Sequence, residues 1–350
     1  MRTLRVTVHA RRPGASGACA LLLALLFAAA GVGAQDTSVT FLEGFPELRS
    51  AGGQTFDLDF GDAVDQGDSV VTGRGDFVEL RQGEGTTIRV ESDTVFTLRE
   101  VAEGGSRQSV MTNSVGEVRY RFNRLAGREP RVGSAAVVAG IRGTELTIYA
   151  GSDGSTLFLV DSGLVEVTSG GETVELSEAQ AVEVGAGQPP GEVFEWRGRE
   201  LDFSSWDQSR LDSFIDEPAR SVELLLTRLE EFAEGYQEYR TLWEEFSGEF
   251  ETVLEEFRAL EDETERERFR QEELFPLRDL TTTQALNYRY FSLSALSLRR
   301  HVLGRMYMTM KTLNIMNPEN EEFQAFLEEY EAFLDLYEQR ITPGLVPADI

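Results

Sequence analysis

The pattern that most restricts the fold of this chain is a run of apolar residues between Val222 and Leu260, one at every third or fourth position. The run comprises Val222, Leu225, Leu229, Phe232, Tyr236, Tyr239, Trp243, Phe246, Phe250, Val253, Phe257 and Leu260. This spacing puts them along one face of a helix about 58 Å long, as in a coiled coil or helical bundle. The many aromatic rings favour a bundle wider than two strands. The run is predicted to be bundle core; the alternative is a groove for a partner helix.

Further signals predict that residues 218–340 form an antiparallel bundle of about three helices. Pro218 suits the first turn of the first helix. Thr281 and Gln284 fit a capping box and predict a second helix from about 283 to 315. The connection before it is expected to be broken around Pro276.

The bundle has predicted boundaries on both sides. Asn317 and Pro318 predict the cap and first position of a third helix. Residues 196–217 are predicted to be an ordered connector, and residues 341–350 a tail.

Residues 35–195 have a different sequence pattern, in which short stretches with an apolar residue at every second position lie between glycine-containing turns. The alternating positions are Val78 and Leu80, Ile88 and Val90, Val118 with Tyr120 and Phe122, Leu146 and Ile148, Val165 and Val167, Val174 and Leu176, and Val182 and Val184. Alternate residues of a strand point to the same side, so this pattern predicts many short strands with one buried face. The fold class is therefore multidomain: an all-β sandwich or roll followed by an all-α bundle.

Three stretches of the β-rich half form an ordered set of motifs. They are Gly61–Gly73 with the strands that follow it, Val138–Ile148, and Leu159–Val184. In order and spacing they resemble the FecR family, over residues ~38–190. The third stretch departs from the family, because Glu178-Ala179-Gln180 occupies a turn that usually contains glycine.

The resemblance implies an all-β periplasmic domain that senses or binds other envelope proteins. In the best-known members this domain relays a signal from an outer-membrane receptor to a cytoplasmic sigma factor. That arrangement needs a cytoplasmic N-terminal segment and a spanning helix. The chain opens instead with an export signal, so direct regulation of a sigma factor is not expected.

The N-terminal 34 residues have the order of a secretory signal peptide. A basic segment precedes the apolar run at 18–30, and small residues then lead to Ala34. We predict cleavage after Ala34 and a periplasmic or secreted product. The alternative is an uncleaved anchor, although the run is shorter than the roughly 20 residues that a spanning helix needs. The one cysteine, Cys19, lies in this leader, so the mature chain is expected to have no disulfide.

The formal net charge of −28 disfavours nucleic acid as a partner, because such a field repels phosphate. One local cluster of basic residues runs against this background: Arg119, Arg121, Arg124, Arg128 and Arg131. In the predicted strand, the first two side chains point to solvent. The cluster is a candidate docking patch for an anionic partner. Alternatively, it is simply solvated or pairs with the acidic helical half.

A second candidate binding element is Arg142-Gly143-Thr144. It is either a binding turn or a structural turn in which Gly143 supplies an unusual backbone conformation. In the structural alternative, Arg142 pairs with a buried carboxylate.

Chemistry-bearing motifs are scarce in this sequence. His301 is the only histidine after the leader, and it is predicted to be structural. Transition-metal sites draw on Cys and His clusters, and phosphate-binding glycine loops have their own spacing; the sequence has neither. No catalytic residue, metal or cofactor is therefore predicted, and the chain is not expected to be an enzyme.

Together these features predict an exported, non-catalytic binding or scaffolding protein of the cell envelope. Its β-rich domain would contact another envelope protein or a cell-wall polymer. The helical bundle would add a second interface or form a homo-oligomer. Two alternatives stay open: a signalling regulator that works with a separate membrane partner, and a polysaccharide-active enzyme that uses two carboxylates.

Overall fold

The computed structural model describes residues 37–83, 85–103, 106–122, 130–196 and 201–344. Strands occupy the first part of the chain, and helices follow from Phe203 onward. The predicted fold class, β-rich and then helical, is confirmed. The predicted leader and Arg124 and Arg128 lie outside the described residues, as does most of the predicted tail.

The described residues of the β-rich region form one hydrogen-bonded sheet of 14 strands. They are β1 (Thr37–Glu43), β2 (Glu47–Arg49), β3 (Thr55–Asp57), β4 (Ser69–Val71), β5 (Phe77–Gln82), β6 (Thr86–Val90), β7 (Val95–Glu103), β8 (Ser106–Phe122), β9 (Arg131–Ser134), β10 (Val138–Ala150), β11 (Thr156–Ser169), β12 (Glu172–Leu176), β13 (Gln180–Val184) and β14 (Phe194–Glu195). The path runs β14-β13-β11-β10-β9-β8-β7-β4-β2-β3, and a branch of β1, β5 and β6 joins β8.

Strand β8 joins the two parts of the sheet. Its first part pairs with β7, and its last part lies between β6 and β10. Gly116 separates these parts and has a φ of 97°. A Cβ at this position would lie 2.7 Å from Thr94 Cα, so glycine is required here by both conformation and space.

The inner face of the strands confirms the predicted alternation of buried and outward-facing residues. Leu80, Ile88, Tyr120, Leu146 and Val160 are directly paired across five neighbouring strands and are all buried. Side chains of opposite parity on the same strands face outward. This outward face is the starting point for the candidate site below.

The helical region contains six α-helices among the described residues. They are α1 (Phe203–Asp216), α2 (Pro218–Ala259), α3 (Glu263–Phe269), α4 (Phe275–Ser297), α5 (Gly304–Leu313) and α6 (Glu321–Arg340). Two π-helical segments, Arg270–Leu274 and Leu298–Leu303, join α3, α4 and α5 into one continuous helical rod. A short 3₁₀ turn, Thr342–Gly344, follows α6. None of these described helices has an apolar stretch that could cross a membrane.

The predicted break around Pro276 and the predicted capping box at Thr281 and Gln284 are wrong. Pro276 lies in the first turn of α4, immediately after the first π-helical segment. The wider π turn accommodates the missing N–H and the ring, which would disrupt a regular helix interior. Thr281 is therefore inside a helix, and its Oγ1 donates to Leu277 O at 2.8 Å.

The third long helix starts later than expected, since Asn317 and Pro318 were predicted to be its cap and first position. Its N-cap is Asn320, whose Oδ1 accepts hydrogen bonds from Glu322 N and Phe323 N. The Asn320 side chain thus satisfies two backbone N–H groups of the first turn. In the structure, neither Asn317 nor Pro318 does so. The predicted connector, in turn, contains a full helix, α1, whose N-cap Asp202 accepts a hydrogen bond from Ser205 N.

Helix α2 begins at Pro218, as predicted, but burial of its apolar face changes along its length. Val222 to Tyr236 of the apolar run are buried, whereas most of the run after Tyr236 is half-buried. Arg340, the last residue of α6, donates to Gln237 at 2.8 Å. Beyond this level α6 has ended, so the bundle narrows to α2 and the rod.

The sheet and the helices share one hydrophobic core, which includes Val118 and Ile148 from strands and Leu225 and Val302 from the helical region. Polar contacts reinforce this interface. The buried Arg99 of β7 donates from Nη1 to Ser294 Oγ at 2.8 Å and from Nη2 to Leu293 O at 3.0 Å. The two halves are therefore packed together, which the sequence alone could not establish.

His301 lies in the second π-helical segment, next to this interface. Burial, followed by the positive charges of Arg305, Arg99, Arg49 and Arg300, lowers its pKa from 6.5 to about 4. An unfolded chain therefore binds a proton below pH 6.5 that the folded protein does not bind until about pH 4. The free energy of unfolding should consequently fall as the pH drops through this window.

We expect wild type to lose about 2 kcal/mol more than His301→Gln between pH 8 and pH 5, because glutamine does not titrate. Urea unfolding of both proteins at the two pH values measures this difference. Equal pH dependence of the two proteins would contradict the neutral, partly buried imidazole.

Ala179 lies in the turn where the FecR resemblance led us to expect glycine, and its backbone is unusual for alanine. Its φ is 66°, in the left-handed region that glycine adopts most readily. Hydrogen bonds on both sides hold it there, since its N–H donates to Val160 O and its carbonyl accepts from Trp196 N. Ala179 therefore adopts a backbone conformation that glycine would adopt without strain.

Candidate functional site

The outward side of the central strands carries a set of charged residues that the strand register brings together. We define the outer face as Glu79, Arg89, Glu91, Glu117, Arg119, Arg121 and Glu145. One row of direct cross-strand partners runs Glu79 to Arg89 to Arg119, from β5 through β6 to β8. The next row pairs Arg121 with Glu145 of β10.

Arg119 occupies the centre of the outer face and is held by two carboxylates. Its Nη2 lies 2.8 Å from Glu117 Oε1, and its Nε lies 3.3 Å from Glu91 Oε1. Arg89 shares the second carboxylate, at 2.8 Å. The result is a connected network in which two guanidinium groups are fixed by neighbouring acids.

Arg121 forms the other ion pair of the outer face. Its Nη2 lies 2.7 Å from Glu145 Oε1, and 68% of its side chain is exposed. Neither Arg119 nor Arg121 pairs with the acidic helical half in the structure described. Their partners lie on the same sheet, because cross-strand register places acid and base side by side.

Burial affects the acids of this network unequally. It raises the pKa of Glu117 above its ordinary value, and the opposing charge of Arg119 limits that rise. Asp161, at the edge of the outer face, also has a raised pKa because of burial. The outer face is therefore partly shielded from water while its guanidinium groups stay accessible.

A groove of about 670 Å³ runs over the outer face. Besides charged residues, Thr147, Tyr149, Trp196 and Leu201 line it. The Trp196 indole is fixed by a 3.1 Å hydrogen bond to Val160 O, and Tyr149 donates to Leu201 O at 3.3 Å. Helix α1 supports this end, with Phe203 and Trp206 packed around Tyr149. The groove thus combines hydrogen-bonding groups with a rigid aromatic side.

The Arg142-Gly143-Thr144 element is a β-bulge in β10. Gly143 has a φ of 57°, and the register with β11 shifts between Arg142 and Glu145. Thr144 is buried, and its Oγ1 donates to Leu164 O at 3.0 Å. Residues three apart on a regular strand face opposite sides, but the extra residue puts Arg142 and Glu145 on the same exposed side.

This geometry agrees with the structural interpretation of the glycine. It does not agree with the expectation that Arg142 pairs with a buried carboxylate. Its side chain is exposed, and it makes no ion pair among the described residues. Whether Arg142 contacts a partner remains a prediction.

The predicted arginine cluster is only partly assembled. Arg119 and Arg121 are adjacent on the outer face, whereas Arg131 begins β9 and is paired beside Val110, at the other end of β8. Its position follows from a parallel pairing of β8 with β9. Closeness in sequence therefore did not imply closeness in space for Arg131.

Sequence reasoning did not assign several residues of the outer face and its groove to a candidate site. Glu91, Glu117 and Glu145 neutralise the arginines, and Trp196 forms a wall of the groove. The spacing of Glu117, Arg119 and Arg121 was an available signal, because residues two apart share a strand face. The contributions of Glu91 and Glu145 depend on strand pairing, which the sequence does not reveal.

Within the residues described, no group of three His, Cys, Asp or Glu side chains is placed to hold a metal ion. A second hollow, of about 440 Å³, lies where the end of the sheet meets α1 and α2. Glu183 and Arg210 form an ion pair across it at 2.5 Å. This hollow contains none of the predicted site residues.

Comparison with known proteins finds a family match within the β-rich region. Residues 68–166 match the model of the family described as FecR protein. The search of curated proteins finds no match. The structure is similar to two crystal structures, each of a candidate anti-sigma factor from Parabacteroides distasonis, with 18% and 15% sequence identity and a TM-score of 0.30 for both. The similarity covers 36% and 45% of this chain, and 58% and 73% of those chains, respectively.

Proposed function

We propose that this protein is a non-catalytic binding protein of the cell envelope, and that the outer face recognises another envelope component. The observation that carries this proposal is the contrast between the two sides of the same strands. One side is sealed in the core, and the other presents an open groove with fixed donors and acceptors. The match to the FecR family, over residues 68–166, includes every residue of the outer face.

The ion pairs restrict what this groove can bind. A cluster of unpaired arginines would attract an anionic partner over long distances. Here Arg119 and Arg121 are already compensated by carboxylates, so their remaining N–H groups act as directed hydrogen-bond donors. We therefore expect a polar partner of low net charge, either an envelope protein surface or a cell-wall polymer.

The proposal includes export, with residues 1–34 as a cleaved leader, residues 35–195 as the binding domain and residues 218–340 as a supporting bundle. It also allows a homo-oligomer through the helical region. Its support is the family match together with the order of basic, apolar and small residues in the sequence.

We expect Arg119→Gln with Arg121→Gln to reduce capture of the partner by about tenfold, since hydrogen bonds from charged groups contribute about 1.5–3 kcal/mol. The measurement is affinity capture by the full chain from cross-linked cells, quantified by mass spectrometry. The recovered protein's mass also shows whether it begins at Gln35. Stability should fall by no more than about 2 kcal/mol, since the Arg121–Glu145 pair is exposed, whereas Glu91 and Glu117 are only 18% and 13% exposed and lose the charge of Arg119.

A matched control is Arg220→Gln with Arg240→Gln, which removes two exposed ion pairs from α2. It should leave capture unchanged. If both double variants capture the same molecules equally well, the outer face is not the binding surface.

The FecR match also supports a second candidate function, regulation of envelope signalling through a separate membrane partner. In that case the captured partner would be a membrane-bound regulator or receptor. The outer-face variant would then alter transcription from a sigma-factor-dependent reporter, and the α2 control would not. Capture of a cell-wall fraction with no change in the reporter would exclude this alternative.

A further inference from the structure

Four phenylalanine side chains near the start of the described chain are strongly exposed. Phe41 is 52% exposed, Phe45 93%, Phe56 49% and Phe60 76%. Isolated apolar residues on a surface are ordinary, but several large rings in one place mark an interaction site. We call these four residues the phenylalanine patch.

Backbone hydrogen bonds bring together the chain segments that carry Phe41, Phe45 and Phe60. Leu58 N donates to Pro46 O, and Gly61 N donates to Val39 O, both at 3.0 Å. Phe60 lies in the segment from Leu58 to Gly61. This segment therefore runs beside Pro46, which follows Phe45, and beside Val39, which is two residues before Phe41. Phe41 also stacks on Phe77, with ring centroids 5.3 Å apart.

The same region contains an open sheet edge. Among the described strands, β3 ends the sheet order and pairs with β2 alone. Phe56 is the cross-strand partner of Leu48, which in turn faces the buried Val70 of β4. Phe56 thus continues a core-facing row beyond the last strand, where an added strand would cover it.

Acidic residues outnumber basic ones in the segment that carries the patch. Glu43, Asp57, Asp59 and Asp65 are all exposed within the same stretch of chain. Carboxylates at this density oppose docking of a second, equally acidic copy and of an anionic membrane. They favour a partner that brings basic side chains beside its apolar ones.

We propose that the phenylalanine patch and the free edge of β3 bind an extended segment of another protein, in which apolar residues alternate with arginine or lysine. Main-chain groups of the segment would pair with β3, one row of side chains would cover Phe56 and its neighbours, and the other row would meet the carboxylates. The patch adjoins the outer face at Phe41, which pairs with Glu79 and stacks on Phe77. Phe45, Phe56 and Phe60, however, do not line the groove of the outer face.

The test uses the full chain and a fluorescent peptide of four Val-Arg repeats, followed by fluorescence anisotropy. The patch variant is Phe45→Ser with Phe60→Ser, which leaves every charge in place. The control variant is Leu313→Ser with Met316→Ser, a pair that is also exposed, at 57% and 91%. We expect the patch variant to bind the peptide about tenfold more weakly than wild type, and the control to bind normally.

Two peptide controls address the mode of binding. A peptide with proline at its centre cannot pair fully with β3 and should bind weakly. A peptide of Val-Glu repeats should not bind. If the patch variant binds the Val-Arg peptide as well as wild type does, attraction to acid alone explains binding and the proposal is overturned.

Two further measurements distinguish other occupants. Sedimentation velocity that shows a dimer lost in the patch variant would assign the patch to self-association instead. Binding to neutral phosphatidylcholine vesicles that requires Phe45 and Phe60 would assign it to a membrane. Either result overturns the proposal of a protein segment, and neither bears on the outer face.

Discussion

Asn287→Leu is expected to lower the free energy of unfolding by about 3–4 kcal/mol, because it leaves a buried backbone N–H and C=O without partners. Asn287 of α4 accepts from Ala102 N at 2.8 Å and donates to Ala102 O at 2.9 Å. The side-chain amide occupies the place of a peptide group from a neighbouring strand. The Asn287 amide therefore satisfies the backbone groups on the open edge of β7, at the point where the helical rod crosses this strand.

Urea unfolding followed by circular dichroism measures the loss, and hydrogen exchange at the Ala102 amide localises it. Leucine keeps the branched shape of asparagine but is larger, so no cavity is left and overpacking can only add to the loss. The matched control is Gln324→Leu, which removes an exposed amide that donates to Pro318 O and should cost less than about 0.5 kcal/mol. A loss below about 1 kcal/mol for Asn287→Leu, with unchanged exchange at Ala102, would contradict this role.

Phe326→Ala is expected to cost about 3–5 kcal/mol, as for other buried aromatic residues whose removal leaves a cavity. Phe326 of α6 is fully buried, and its ring lies 6.2 Å from Phe214, 6.3 Å from Phe323 and 6.0 Å from Tyr330 between centroids. Through the contact with Phe214, α1 packs against α6. Since α1 also supports the groove wall, its loosening should extend to the outer face.

The comparison for this prediction is Phe326→Leu, which keeps most of the volume and should cost less than about 1.5 kcal/mol. Leu313→Ala, at an exposed position of α5, should have almost no effect. Thermal unfolding of the three variants ranks them. Equal stability of Phe326→Ala and Phe326→Leu would mean that the site collapses around the smaller side chain.

The accuracy of sequence reasoning differed between local and long-range features of the helical region. Pro218 correctly marked the start of α2, because a proline in the first turn is a local signal. Thr281 and Gln284 matched a capping pattern equally well, yet they lie inside a helix that starts earlier. The π-helical segment before Pro276 removed the expected break, and no local pattern indicated that segment.

The candidate site shows the same division. Strand alternation correctly placed Arg119 and Arg121 on the side facing away from the core. Their carboxylate partners were not predicted, since Glu91 and Glu145 are brought there by pairing of β6 and β10 with β8. Arg131 was grouped with the others by sequence distance, although parallel pairing of β9 moves it to the opposite end of β8.

The sequence by itself determined the order of a β-rich and a helical half, the buried parity of the strands and the FecR resemblance. These features follow from periodicity and turn residues, which act over a few neighbouring positions. Only the tertiary structure decided that the halves share a core, that the arginines are neutralised, and that exposed phenylalanines lie on or near the edge strand β3. Each of these depends on contacts between residues far apart in sequence, and their energies are set by packing and register.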